Sequence, residues 1–96
     1  MKLVLVIYSG SNDRLVPELF DRHHAGGYTE LRGGHGAGQS GRREGTRAWP
    51  GDTSVFFSVV PTGQVHGLTE SLREQAAALD AGDRLHIAVM PTETFI

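Results

Sequence analysis

Cysteine is absent from the 96-residue sequence, which excludes disulfides, thiolate metal sites and a cysteine nucleophile. A basic excess is missing as well: nine Lys and Arg stand against eleven Asp and Glu, a formal net charge of −2. Nothing therefore draws the whole molecule toward nucleic acid or anionic lipid, and any anion site has to be local. No long hydrophobic run occurs either. Leu3 to Ile7 is apolar but falls far short of the roughly 20 residues of a membrane span, and no signal-peptide cleavage pattern follows it. These absences predict no nucleic-acid partner, no membrane insertion and a cytoplasmic location.

What is present is ordinary globular material, 39% hydrophobic and 21% charged, enough for one domain over residues 1–96. A domain of this size buries only about 60 to 65% of its unfolded surface, so covering a sheet face by self-association is a natural supplement. Lys2 to Tyr8 reads as a strand ended by Ser9-Gly10-Ser11. A helix follows, capped by Asp13, with Leu15, Val16, Leu19 and Phe20 as its apolar face and Gly26-Gly27 as its end. Extended character resumes over Tyr28 to Leu31. A third strand spans Ser54 to Val60 and stops at Pro61, which cannot donate to a ladder. Thr62 caps a second helix whose Val65, Leu68, Leu72, Ala76 and Leu79 recur at three- and four-residue spacing. In the final strand Leu85, Ile87 and Val89 alternate with Arg84, His86 and Ala88. The order is βαββαβ, an α+β ferredoxin-like sandwich with an antiparallel four-stranded sheet and two helices on one face. On the uncovered face the pattern puts Val4, Val6, Phe57 and Val59, which predicts a homo-oligomer.

One segment departs from this ordinary composition, the loop from Arg32 to Gly51 between the second and third strands. It carries seven glycines together with Arg32, Arg42, Arg43 and Arg47. Closely spaced glycines let successive backbone N–H groups face one anion, and arginine adds fork-shaped donors. Gly36-Ala37-Gly38-Gln39-Ser40-Gly41 satisfies G-x-G-x-x-G, yet no helix opens at that point and the Lys-Ser/Thr of a P-loop is missing, so neither nucleotide motif has its context. The bland reading is a solvated hairpin connection. Trp49 anchors the base of the loop and Pro50-Gly51 turns the chain back into the third strand.

Catalytic and metal readings are thin. His23 and His24 sit near a helix end, where the dipole favours them, while His66 and His86 are single residues on a helix and a strand. Ser9 or Ser40 with a histidine and Asp13 lacks the strand-turn-helix context of a nucleophile elbow. Glu70 and Glu74 are a solvated i, i+4 pair with Arg73 nearby. The expectation is a non-enzyme.

Thr29-Glu30-Leu31-Arg32-Gly33-Gly34-His35-Gly36 resembles the strand of PII signalling proteins that runs into a Gly-x-Gly, Phe57 to Pro61 is similar to their third strand, and Ala81-Gly82-Asp83 to their last turn. The likeness spans nearly the whole chain. It implies a homotrimer that binds a small anionic effector, ATP, ADP or a related nucleotide, in clefts between subunits, with no other cofactor, and that meets a partner protein through the loop. By that likeness Thr29, Gly34, Gly36, Gly38 and Gln39 line the phosphate side. The loop is shorter than in nitrogen-regulatory members and lacks a tyrosine for uridylylation. The family's Gly-Lys pair before the last strand is replaced by Arg84-Leu85, and the arginine pair after that strand has no counterpart before Ile96. Arg42, Arg43, Arg47 and Arg84 are the candidate substitutes. Two alternatives stand beside this reading: a CutA-like metal-binding trimer that assembles His35 copies about an axis, and a small dimeric ferredoxin-like enzyme.

Overall fold

The computed structural model describes residues 1–23, 25–38, 41–43 and 53–96; His24, Gln39, Ser40 and the segment 44–52, with Arg47, Trp49, Pro50 and Gly51, lie outside the described residues. The elements in chain order are β1 (Lys2–Ser9), α1 (Leu15–Arg22), β2 (Thr29–Gly34), β3 (Gly36–Gly38), β4 (Gly41–Arg43), β5 (Thr53–Val60), α2 (Thr62–Ala77) and β6 (Arg84–Pro91). Four of the strands form one antiparallel sheet in the order β2-β5-β1-β6. The expected ferredoxin-like sandwich is what the chain builds.

Alternation along β1 and β5 sends one set of side chains under the helices. Val4, Val6 and Tyr8 from β1 and Phe56 and Val60 from β5 are buried, and they meet Val16, Leu19 and Phe20 of α1 and Leu68 and Leu72 of α2. Full burial of a Val, Leu or Phe side chain contributes about 1.5 to 3 kcal/mol, so these positions supply most of the driving force. Val65, Ala76 and Leu79 pack against the same core, as the helical spacing predicts.

The open face carries a different set from the one expected. In an antiparallel ladder directly opposed residues share a face. Phe57 opposes Leu5 and Val59 opposes Leu3, whereas Val4 opposes Ser58 and Val6 opposes Phe56. Val4 and Val6 therefore belong to the helix side, and Leu3, Leu5 and Ile7 join Val55, Phe57 and Val59 on the open side. Ala88 and Met90 of β6 continue that surface, since they oppose Leu5 and Leu3, and Leu31 of β2 extends it opposite Val55.

Both caps differ from expectation. The residue before α1 is Arg14, not Asp13, and it makes no side-chain cap bond; Asn12 Oδ1 instead accepts from the Arg14 N–H at 3.2 Å. Thr62 is the first residue of α2 and Pro61 precedes it. His23 does more than stand at a helix end: its Nε2 lies 2.7 Å from Ser71 Oγ and ties α1 to α2. Arg73 does meet Glu70, at 3.5 Å.

The segment read as a loop from Arg32 is strand at its beginning. β2 runs on to Gly34 and a two-stranded ribbon follows, in which Gly36 pairs with Arg43, Ala37 with Arg42 and Gly38 with Gly41. The turn after β1 is equally constrained. A Cβ on Gly10 would fall onto the Tyr8 hydroxyl and lie 2.7 Å from its ring carbon Cζ and 3.0 Å from Asp83 Cγ, and the Tyr8 ring cannot retreat because it is buried. Gly10→Ala is expected to destabilise the protein by about 1 to 3 kcal/mol, the usual range for overpacking, read as a lowered urea midpoint at unchanged slope.

Candidate functional site

Strand register brings four positions into one row across the end of the sheet. Gly34 of β2 opposes Thr53 of β5, Thr53 opposes Ser9 of β1, and Ser9 opposes Arg84 of β6. The chain leaves this row directly into the β3–β4 ribbon, so the glycines of Gly36–Gly38 stand beside it. Two local features shape the row. The β2–β5 register shifts between Leu31 and Gly34, and Gly33 within that bulge has φ +75°, a left-handed conformation that side chains disfavour. A Cβ on Gly34 would stand 3.3 Å from the Thr53 carbonyl oxygen, so glycine permits the close approach of β2 to β5. Ser9 Oγ and Thr53 Oγ1 then meet at 2.7 Å.

On the helix side of the same sheet end the surroundings are acidic. The Tyr8 hydroxyl accepts from the Asn12 N–H at 3.1 Å. Burial raises its pKa above the ordinary 10.0; the Asn12 N–H works the other way, and Asp83, Asp13 and Asp80 reinforce the rise. Arg32 is committed to this side, with Nε 2.9 Å from Glu30 Oε2 and one terminal nitrogen 3.9 Å from Asp13 Oδ2. The sheet thus separates a side of neutralised and acidic groups from the side on which Ser9, Thr53 and Arg84 lie.

Thr29 does not reach the row. It opposes Phe57, in the middle of β5, five residues along β2 from Gly34, or about 16 Å at roughly 3.3 Å per residue. It is exposed, and the connection before it is held by Ser58, whose Oγ donates to the carbonyl oxygen of Gly27 at 2.5 Å. Of the residues expected to bind ligand, Gly34 and Arg84 fall in the row, Gly36, Gly38, Arg42 and Arg43 belong to the adjoining ribbon, and Gln39 and Arg47 lie outside the described residues. Ser9 and Thr53 were not expected at a binding site. Their only sequence signal is position, one at the end of a strand and one beside the start of another, and register was needed to oppose them.

Among the described residues no three His, Cys, Asp or Glu side chains gather where they could hold a metal ion. His35, between β2 and β3, is exposed. No helix among the described residues is long and apolar enough to cross a membrane.

Comparison with solved structures bears on this arrangement. CPII, a nitrogen regulatory PII-like protein from Thiomonas intermedia K12, superposes with a TM-score of 0.73 over 93% of this chain and 84% of its own, at 22% identity. Its apo form gives 0.62 over 93% and 87%, at 19% identity. This chain has the PII-like fold. A protein from Thermus thermophilus described as PII-like and signalling shares it, with a TM-score of 0.66 over 92% of this chain and 82% of its own, at 19% identity. No family model matches the chain and no curated protein matches it in sequence, so the PII-like likeness rests on the path of the backbone.

The Tyr8 environment has a consequence for alkaline stability. Folding favours the neutral phenol, so the associated stabilisation is present below pH 10.0 and is lost as pH rises through the raised folded value. The wild-type urea midpoint is expected to fall above about pH 10 more steeply than that of Tyr8→Phe, measured in parallel across pH 8 to 11.

Proposed function

We propose that this protein is a PII-like regulatory protein of the cytoplasm, homotrimeric and without catalytic activity, that binds a small anionic effector of the adenine nucleotide kind in clefts between subunits. The observation that carries the reading is the row Gly34–Thr53–Ser9–Arg84 at the foot of a glycine ribbon, bordering a sheet face that no element among the described residues covers. Backbone N–H groups freed of Cβ obstruction and the Arg84 guanidinium are donors suited to phosphate oxygens, and Arg42, Arg43 and Arg47 follow in the same segment. CPII was solved bound to ADP, AMP and bicarbonate, and also to ADP and bicarbonate, which supports an adenine nucleotide with a small anion as the first ligands to test.

The open face supports the trimer. Leu3, Leu5, Ile7, Val55, Phe57 and Val59 are half-buried within one chain, Leu31 is 56% and Met90 41% exposed, and a contiguous apolar surface of this kind marks an interface. The placement of Thr29 fits the same assembly: in a trimer the Thr29 of one subunit can approach the row of the next. The segment carrying Arg42, Arg43 and Arg47 is the surface offered to a partner protein, and its arrangement on effector binding is the signal.

Two measurements test this. Thermal unfolding with ADP at about 100 times its dissociation constant is expected to show stabilisation of about 2.7 kcal/mol per site, a rise of several degrees in a domain this small. Copper and zinc form a separate arm, and a rise with metal alone transfers the reading to the CutA-like alternative. Sedimentation is expected to give three chains per particle for the wild type and monomers for Leu5→Asp, because a carboxylate at the centre of the apolar face would be buried unpaired. A wild-type monomer or dimer rejects the intersubunit cleft.

A further inference from the structure

α2 presents a second line of residues that the core does not use. His66, Thr69 and Arg73 follow Thr62 at spacings of four, three and four, which sets them on one flank of the helix. That flank overhangs β6, an edge strand of the four-stranded sheet. Between them runs a groove of about 620 Å³, within the range of small-molecule sites. Ile87 and Val89 form part of its floor, Val89 with 39% exposure.

The charges in this groove are of one sign. Its fixed charges are those of Lys2 and Arg73, His66 and His86 add ring nitrogens, and no Asp or Glu among the described residues lines it, in a chain whose net charge is −2. Arg73 touches Glu70 at 3.5 Å, with both side chains well exposed. An exposed pair of this kind is worth about 0.2 to 1 kcal/mol, too little to keep the guanidinium from an incoming anion. Thr69 Oγ1 donates to the His66 carbonyl oxygen at 3.1 Å.

The nitrogen-bearing side chains are also spread along the groove. Lys2 opposes Pro91 and His86 lies five residues earlier in β6, about 17 Å away at roughly 3.4 Å per residue. α2 begins just beyond Val60, which opposes Lys2, and runs toward the start of β6, so Arg73 is carried toward Arg84 and the strand-end row. Among the described residues no three His, Cys, Asp or Glu side chains gather here to hold a metal ion, and an apolar floor gains nothing from a bare inorganic anion. A molecule with a phosphate at one end and an apolar ring behind it satisfies both features.

We propose that the α2–β6 groove binds a nucleoside phosphate, with the Arg73 guanidinium and the His66 ring as partners of the phosphate and Ile87 and Val89 receiving the ring. The proposal rests on the reading of this protein as an effector-binding regulator, and it places a further site on the helix side of β6, across the sheet from the strand-end row.

Nuclear magnetic resonance titration of the full chain tests it, with ADP, pyrophosphate and adenosine as separate probes. The expected result is saturable shifts at the His66 ring and the Thr69 and Arg73 amides with ADP and pyrophosphate, and at the Ile87 and Val89 amides with ADP and adenosine. Arg73→Ala combined with His66→Gln should weaken ADP at least tenfold while leaving the ligand-free melting temperature in place. ADP binding with shifts confined to Ser9, Gly10 and Gly34 overturns the groove and leaves the proposed function standing. Equal ADP affinity in the double variant overturns the assigned roles of Arg73 and His66. The absence of saturable shifts with every probe overturns both the groove and the nucleotide reading.

Discussion

β1 is paired along its whole length on both sides, to β5 and to β6, and this double register is the constraint on which the rest of the molecule depends. It decides that Val4, Val6 and Tyr8 lie under the helices and that Leu3, Leu5 and Ile7 do not. A slip of one residue would exchange the two sets and turn the core outward. The same register, extended through β5 to β2, lines up Gly34, Thr53, Ser9 and Arg84. Core packing and the candidate site are thus two readings of one hydrogen-bond pattern, and the hydrophobic demand on β1 is what holds the polar row in place.

Charge is unevenly distributed on the helix side of that sheet. Asp13, Asp80 and Asp83 lie about Tyr8, and Arg32 is held between Glu30 and Asp13 on the same side. The groove between α2 and β6 has only cationic and neutral lining among the described residues. A net charge near zero for the whole chain therefore conceals regions of opposite sign, which is how a mildly acidic protein can present anion-binding surfaces.

The element order was legible because the two strongest signals in the sequence, the apolar runs Leu3 to Ile7 and Val55 to Val60, belong to central strands, and because α2 repeats its leucines at helical spacing. Face assignment was less legible. Val4 and Phe57 cannot share a face once Phe57 opposes Leu5, but pairing is a property of two strands, and a long intervening segment leaves it unspecified by either. Composition marked Arg32 to Gly51 as unusual and missed that it opens as strand and ribbon, since glycine carries no alternating side chains from which extended backbone can be read. Gly34 was found as part of a motif, whereas Ser9 and Thr53 were not, because hydroxyls become a site only when register opposes them. Lys2 is far in sequence from His66 and Arg73, and the three come together only when α2 is laid along β6.

The length of β2 has one more consequence. Its two ends, Thr29 and Gly34, are separated by about 16 Å of extended backbone, so a ligand small enough to sit in the row cannot touch both within a single chain. A ligand that does touch both joins two chains. Occupancy and association then become linked variables: dilution of the protein weakens its apparent affinity for the ligand, and the ligand in turn holds the assembly together at concentrations where bare subunits would part.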